Sequence, residues 1–357
     1  MTSTLDLAQR FIRTRSVASN PAGLREVLRI ALNELEGFTV ERFESDGVES
    51  ALVYVGATRP KRFKVLLNAH LDVIPGRDDE YEPRIKGRRL YGVGAMDMKS
   101  NAACLINAFK ETARFVAYPL ALQLVTDEEI GGFNGTAVQV KSGVRADFVL
   151  AGEPTNFDIV HKAKGIIWFK VHATGRAAHG AYPWRGVNAL EILLAFDARL
   201  RKAFPPLTKE AWKTSVNLAR IETSNTSFNK IPGTASACYD LRYVAGDRPT
   251  LLTKIRRCLP HGATLEIVAD EPAMDAAIKD PYIQSLARAA HGTTGGRIFR
   301  GANGSSDARH FAAKGATCVE FGPVGGGIGA DGEWVDIPSL AKFEKVLVTF
   351  LRSLDQH

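Results

Sequence analysis

Lys64-Val65-Leu66-Leu67-Asn68-Ala69-His70-Leu71-Asp72 joins a strand-length apolar run to an imidazole and a carboxylate spaced two residues apart. The run predicts a buried strand, and the polar pair at its end predicts a site at the strand's carboxyl edge, where open α/β sheets bind their ligands. The same pattern recurs twice. Ala121-Leu122-Gln123-Leu124-Val125 leads into Thr126-Asp127-Glu128-Glu129, and Phe148-Val149-Leu150-Ala151 leads into Gly152-Glu153-Pro154. A further acid lies in Ala95-Met96-Asp97, before an amphipathic helix predicted over Ser100 to Phe115. One imidazole with several carboxylates suits a zinc-type or paired-metal hydrolytic site, and no alternative nucleophile constellation accompanies it.

Working outward, strands and helices alternate as in α/β folds. Helices are predicted over Leu5 to Ile12 and Gly23 to Leu35, and strands over Phe38 to Phe43 and Ser50 to Val55. The pattern changes at Ile166-Ile167-Trp168-Phe169-Lys170-Val171-His172-Ala173, which starts a strand. A helix (Asn188 to Ala203), two strands (Ser215 to Ile221, Ala235 to Tyr243), a helix (Thr250 to Cys258) and a strand (Thr264 to Val268) follow. That β-α-β-β-α-β order is ferredoxin-like. The unit reads as an insertion, because α/β character resumes with the helix Tyr282 to His291 and the strand Ala316 to Phe321. The expected division is 1–164 with 275–357 as a discontinuous catalytic domain, and 165–274 as the insert.

Composition agrees with two domains: 357 residues exceed the size at which one core keeps growing, and 45% hydrophobic residues is ordinary for a globular chain. The formal charge of +7 raises nucleic acid as a partner. The densest basic pieces, Arg84 to Arg89 and Lys254 to Arg257, belong to no nucleic-acid-binding signature, so a solvated basic surface is expected. Lys162 and Lys164 are candidates to attract an anionic substrate. Cys104, Cys238, Cys258 and Cys318 are scattered without any CxxC pair and read as buried thiols. The segment from Met1 to Asp6 lacks a signal-peptide pattern and no apolar run approaches the ~18 residues of a membrane span, so a cytoplasmic protein without membrane partners is expected.

Taken singly, each motif has a plain reading. Asp127-Glu128-Glu129 could be a solvated turn, His70 a structural histidine, and Asp97 a helix cap. Their order along the chain says otherwise. With Gly92-Val93-Gly94-Ala95-Met96-Asp97-Met98-Lys99, Gly175-Arg176-Ala177-Ala178-His179 and Ser306-Asp307-Ala308-Arg309, the set resembles the M20 family of dinuclear zinc peptidases and deacylases. Acetylornithine deacetylase and succinyl-diaminopimelate desuccinylase are among its members.

The resemblance implies a zinc-peptidase-like α/β catalytic domain with a mixed sheet and an inserted ferredoxin-like α+β dimerisation, or lid, domain. It implies Asp97 as a carboxylate bridging two metals, with His70 and Glu153 completing one site and Glu129 belonging to the other. Asp72 would accept the second imidazole N–H and orient His70. Glu128 would be the general base. His179 would reach a neighbouring subunit's active site and donate to the oxyanion, which implies a homodimer through the insert. Tyr182, Asn229, Arg242, Gly304 and Ser305 would line the substrate, Arg242 through a bidentate pair with a carboxylate.

One position departs from the pattern. The family completes its second metal with a histidine four residues before a glutamate near the C-terminus, and in Gly327-Ile328-Gly329-Ala330-Asp331-Gly332-Glu333 that position is Gly329. Asp331 is the candidate replacement ligand. His310, at the start of an apolar helical stretch, reads as packing. One or two zinc ions per chain are expected, with cobalt or manganese acceptable. The expected reaction is removal of an acyl group from an N-acyl amino acid. The alternatives are a dipeptidase or carboxypeptidase of the same family, and a metal-impaired, non-catalytic binding homologue kept open by Gly329.

Overall fold

A run of residues that is apolar at most successive positions, rather than at alternate ones, can be buried on both faces of a sheet. The computed structural model, which describes residues 2–294 and 298–356, puts three such runs side by side. Phe63–His70 lies between Leu120–Val125 and Ala146–Ala151, parallel to both. The register places His70 opposite Val125 and Asn68 opposite Ala151, so the chain leaves all three strands at the same edge. Thr317–Glu320 continues the parallel set beside Ala146–Ala151. The hairpin Thr39–Ser45 and Val48–Tyr54 is antiparallel and forms one edge, which makes the sheet mixed.

This sheet belongs to a first unit made of Met1–Lys162, Met274–Gly301 and Ser306–His357. Helix Lys99–Thr112 begins one residue earlier than expected and packs against Thr4–Arg13 and Ile337–Ser353. Caps fix the helix starts. Ser3 accepts from the Asp6 amide, and Asp336 accepts from the Ser339 amide with Pro338 in the first turn. A second, small antiparallel sheet joins Gly325–Gly326, Trp334–Asp336, Arg89–Tyr91 and Arg84–Lys86. Thus a C-terminal strap spanning 325–336 pairs with a segment almost 250 residues earlier in the chain.

The second unit, Ala163–Ala273 with Ala302–Ser305, has its own sheet in the order Ser215–Glu222, Thr234–Tyr243, Gly165–Thr174, Ala263–Glu271, all antiparallel. This is the ferredoxin-like order, and helices Ala189–Ala203 and Arg248–Arg257 contribute to its core. Gly165–Thr174 alternates buried and exposed positions, as a one-face strand must. Phe169, Phe196 and Tyr239 stack in its centre.

Three details differ from expectation. Residues 302–305 keep company with the insert, because Ala302 O accepts the Lys164 amide and Asn303 donates to Glu210. Lys164 is buried, its ammonium over Trp212 and pointed at the Ala211 carbonyl, so it is a packing group rather than an attractor of anions. Cys104, Cys258 and Cys318 are buried thiols, but Cys238 is only half-buried. Among the described residues no helix is long and apolar enough to cross a membrane.

Candidate metal centre

His70 closes its strand at 1% exposure, and its ring is held by the short loop that follows. Nδ1 lies 3.0 Å from the Asp72 backbone carbonyl. That leaves Nε2 facing Asp97 Oδ1 at 3.1 Å and Glu153 Oε2 at 4.0 Å. Asp97 does not cap the following helix; Met98 holds the cap position and makes no side-chain cap. Glu129 approaches from the loop after Leu120–Val125, and one donor atom each from His70, Asp97 and Glu129 lies within 4.8 Å of the others. Donors held about 2 Å from a single zinc ion lie within about 4 Å of one another.

The electrostatics of this cluster fit a divalent cation. Burial pushes the Glu128 and Glu153 carboxyls well above their ordinary range, and Glu129 rises to about 7 for the same reason, with Asp97 and Asp72 adding to it. Burial would lower the pKa of His70, but hydrogen bonding and charge from Asp72, Asp97 and Glu153 hold it well above normal. Glu153 Oε1 is buried without a hydrogen-bond partner. One imidazole, several carboxylates and a buried, unpaired carboxylate oxygen on Glu153 form a donor set suited to zinc or a similar ion.

Asp72 meets both His70 and the loop beyond it. Its backbone oxygen lies 3.0 Å from the imidazole Nδ1, and its carboxylate Oδ1, 3.6 Å away, helps to raise the His70 pKa. The carboxylate also accepts from the amides of Glu128 (3.2 Å) and Glu129 (3.0 Å). It therefore orders the loop that carries both glutamates, because those amides at the start of a one-turn helix have no backbone partners. Asp127 does similar work one step behind, accepting from the Asn134 and Gly135 amides.

Gly329 has φ +69°, and a Cβ built there would meet only Ile74 Cδ1, at 3.3 Å. Asp331 does not stand in for the missing imidazole. Its side chain is 72% exposed and ion-paired with Arg77, and it lies outside the His70–Asp97–Glu129 cluster. His310 sits in the short helix Ala308–Ala312 and is buried, as a packing residue should be.

Sequence reasoning missed Glu333. It is 6% exposed, and its carboxylate accepts from three amides of the loop that ends in Asp97. The only available signal was a lone acid four residues after Gly329. Asp307, fully buried and bonded to Thr136 Oγ1 at 2.6 Å, was likewise seen only as a motif letter.

The remaining candidates are in the second unit. His179 is exposed on the two-residue strand Ala178–His179, its Nδ1 accepting from the Ala181 amide and its ring 5.7 Å from that of Tyr182. Tyr182 is exposed, and the Asn229 carbonyl anchors the same turn through the Gly180 amide. Arg242 is half-buried with Nε bound to Asp240 at 2.9 Å, so only its terminal nitrogens are left for a substrate carboxylate. Gly304 is exposed, while Ser305 Oγ is buried without a partner.

Comparison with known proteins gives one family. Residues 66–353 match peptidase family M20/M25/M40. The chain is 27% identical over 386 residues to a succinyl-diaminopimelate desuccinylase of Thioalkalivibrio sulfidiphilus, covering 99% of each chain. It is 29% identical to a probable carboxypeptidase of Emericella nidulans, over 68% of this chain and 63% of that one. Among solved structures, the fold is similar to that of the aminopeptidase PepT from Bacillus cereus, with a TM-score of 0.81, 19% identity and 98% of each chain covered.

Proposed function

Because the chain belongs to peptidase family M20/M25/M40 and is a metallohydrolase acting on amide or peptide bonds, we propose that its reaction is the removal of an acyl group from an N-acyl amino acid. The observation that carries the chemistry is the convergence of His70, Asp97 and Glu129 on one point, with Glu128 beside them. Similarity to a desuccinylase along 99% of the chain favours a deacylase over other amide hydrolases.

In this reading His70, Asp97, Glu153 and Glu129 would hold one or two ions, zinc by the donor set with cobalt or manganese acceptable, which would supply polarisation of the substrate carbonyl and a more acidic water. Every other task falls to the chain. Glu128, half-buried and raised in pKa, takes the proton of the attacking water and returns it to the leaving amine. Asp72 keeps Glu128 and Glu129 in place through their amides. His179 of a partner subunit donates to the oxyanion of the tetrahedral intermediate, a contact worth about 3 kcal/mol of barrier where water is excluded. Tyr182, Asn229, Arg242, Gly304 and Ser305 orient the substrate, and the working form is a cytoplasmic homodimer.

The second reading, a carboxypeptidase or dipeptidase, draws on the Emericella nidulans relative. Bound metal measured alongside turnover of acetyl-, succinyl- and dipeptidyl substrates separates the two. Preferential release of amino acids from acyl amino acids supports the deacylase, and preferential cleavage of dipeptides rejects it.

A further inference from the structure

We infer that Glu333 is a positioning residue for the metal centre, its carboxylate fixing the backbone loop that presents Asp97. The inference rests on the proposed role of Asp97 as a ligand. Glu333 Oε1 accepts from the Met96 amide at 2.6 Å and the Asp97 amide at 2.8 Å, and Oε2 accepts from the Gly94 amide at 3.2 Å. Gly94 sits at φ +75°, in a tight turn where the Ala95 amide bonds back to the Gly92 carbonyl while the Gly94, Met96 and Asp97 amides face Glu333. A carboxylate in that concavity makes charge-assisted bonds, each stronger than a neutral one.

The strap that carries Glu333 is itself held from several directions. Glu80 Oε1 accepts the Gly332 amide at 2.7 Å, and the Glu333 carbonyl accepts the Gly92 amide at 3.1 Å. Trp334 pairs with Tyr91 across the small sheet and lies under the Arg89 guanidinium at 3.7 Å. Glu333 is therefore a fixed anchor rather than a mobile side chain. Its oxygens face amides, and it stands outside the His70, Asp97 and Glu129 donor set, so ligation is not its task. Gly329 and Glu333, four residues apart in one strap, thus divide into a position that lacks a ligand and a position that orders one. Outer partners of this kind typically change metal affinity 10–100-fold when removed, on the order of what is expected here.

The test is titration of the full-length protein with Co2+, reading both affinity and the visible absorption of the bound ion, with thermal midpoints of the metal-free proteins alongside. Glu333→Gln keeps the shape but sets an amino group against the loop's N–H donors. It should weaken Co2+ binding by roughly 10–100-fold and shift the absorption band. Glu80→Gln is the control, because it alters the side chain that holds the same strap at Gly332 and leaves in place the backbone carbonyl that accepts the Val93 amide; its affinity should stay within about threefold of wild type. Glu333→Asp, a carboxylate with shorter reach, should fall between the two, and it decides the matter against Glu80→Gln if Glu333→Gln does not fold. Wild-type affinity and spectrum in Glu333→Gln or, failing that, in Glu333→Asp, or an equal loss in Glu80→Gln, would overturn the inference. A wild-type protein that binds no Co2+ would overturn the proposed centre as well, whereas tight wild-type binding unaffected at Glu333 would remove this inference alone.

Discussion

Gly329 sets the terms at the scale of a single residue. A Cβ built there meets Ile74 Cδ1 at 3.3 Å, so the tip of Ile74 must give by a few tenths of an ångström, and φ +69° is a conformation that L-residues adopt at a cost of about 1–2 kcal/mol. Gly329→His should therefore raise metal content towards two ions per chain while lowering the thermal midpoint of the metal-free protein. Elemental analysis with scanning calorimetry checks both. The rival replacement ligand is tested in the same experiment. Asp331 is 72% exposed and paired with Arg77, an arrangement worth at most about 1 kcal/mol, so Asp331→Ala should leave metal content unchanged. Loss of metal in Asp331→Ala would return that residue to the coordination shell.

At the scale of elements, what could be read from the sequence followed from how each element is buried. The runs before His70, Thr126 and Glu153 were legible because parallel strands buried on both faces read as near-continuous apolar runs, broken here by Lys64, Asn68 and Gln123. Their register was not legible, since pairing His70 with Val125 and Asn68 with Ala151 is a non-local choice. The same limit hid Glu333, whose contact with Met96 spans 237 residues of chain. It also hid a second task of Asp72, since nothing local shows that its carboxylate binds two amides of the Glu128 loop. The C-terminal helix Ile337–Ser353 offers a test of element packing. Burial pushes Glu344 above its ordinary 4.5; the Thr4 hydroxyl opposes this and Glu111 adds to it. A raised acid favours the folded state when protonated, so its contribution is present below pH 4.5 and is lost as pH rises through the raised value. Glu344→Gln removes that dependence. The midpoint of the variant minus that of wild type should rise by about 1–3 °C from pH 5 to pH 8, measured by calorimetry in one buffer system; a flat or falling difference would show that the carboxyl is not strained by burial.

For the whole molecule, the question is how two separately cored units share one reaction. His70, Asp97, Glu128, Glu129 and Glu153 all belong to the first unit, whose core is distinct from that of the second, and His179 belongs to the second. If His179 serves the active site of a partner subunit, two inactive variants should complement each other. Glu128→Gln alone should lose at least ~100-fold in turnover through loss of the general base, and His179→Ala about as much through loss of the oxyanion donor. In a mixed dimer, the His179→Ala subunit keeps its own Glu128 and receives an intact His179 from its partner, so one site is whole. The other site lacks both groups. With random exchange of equal amounts, half the dimers are mixed and each has one working site, so activity should recover to about a quarter of wild type. A mixture that stays at the level of its parents after subunit exchange has been verified would place His179 in the active site of its own chain, or outside the reaction altogether.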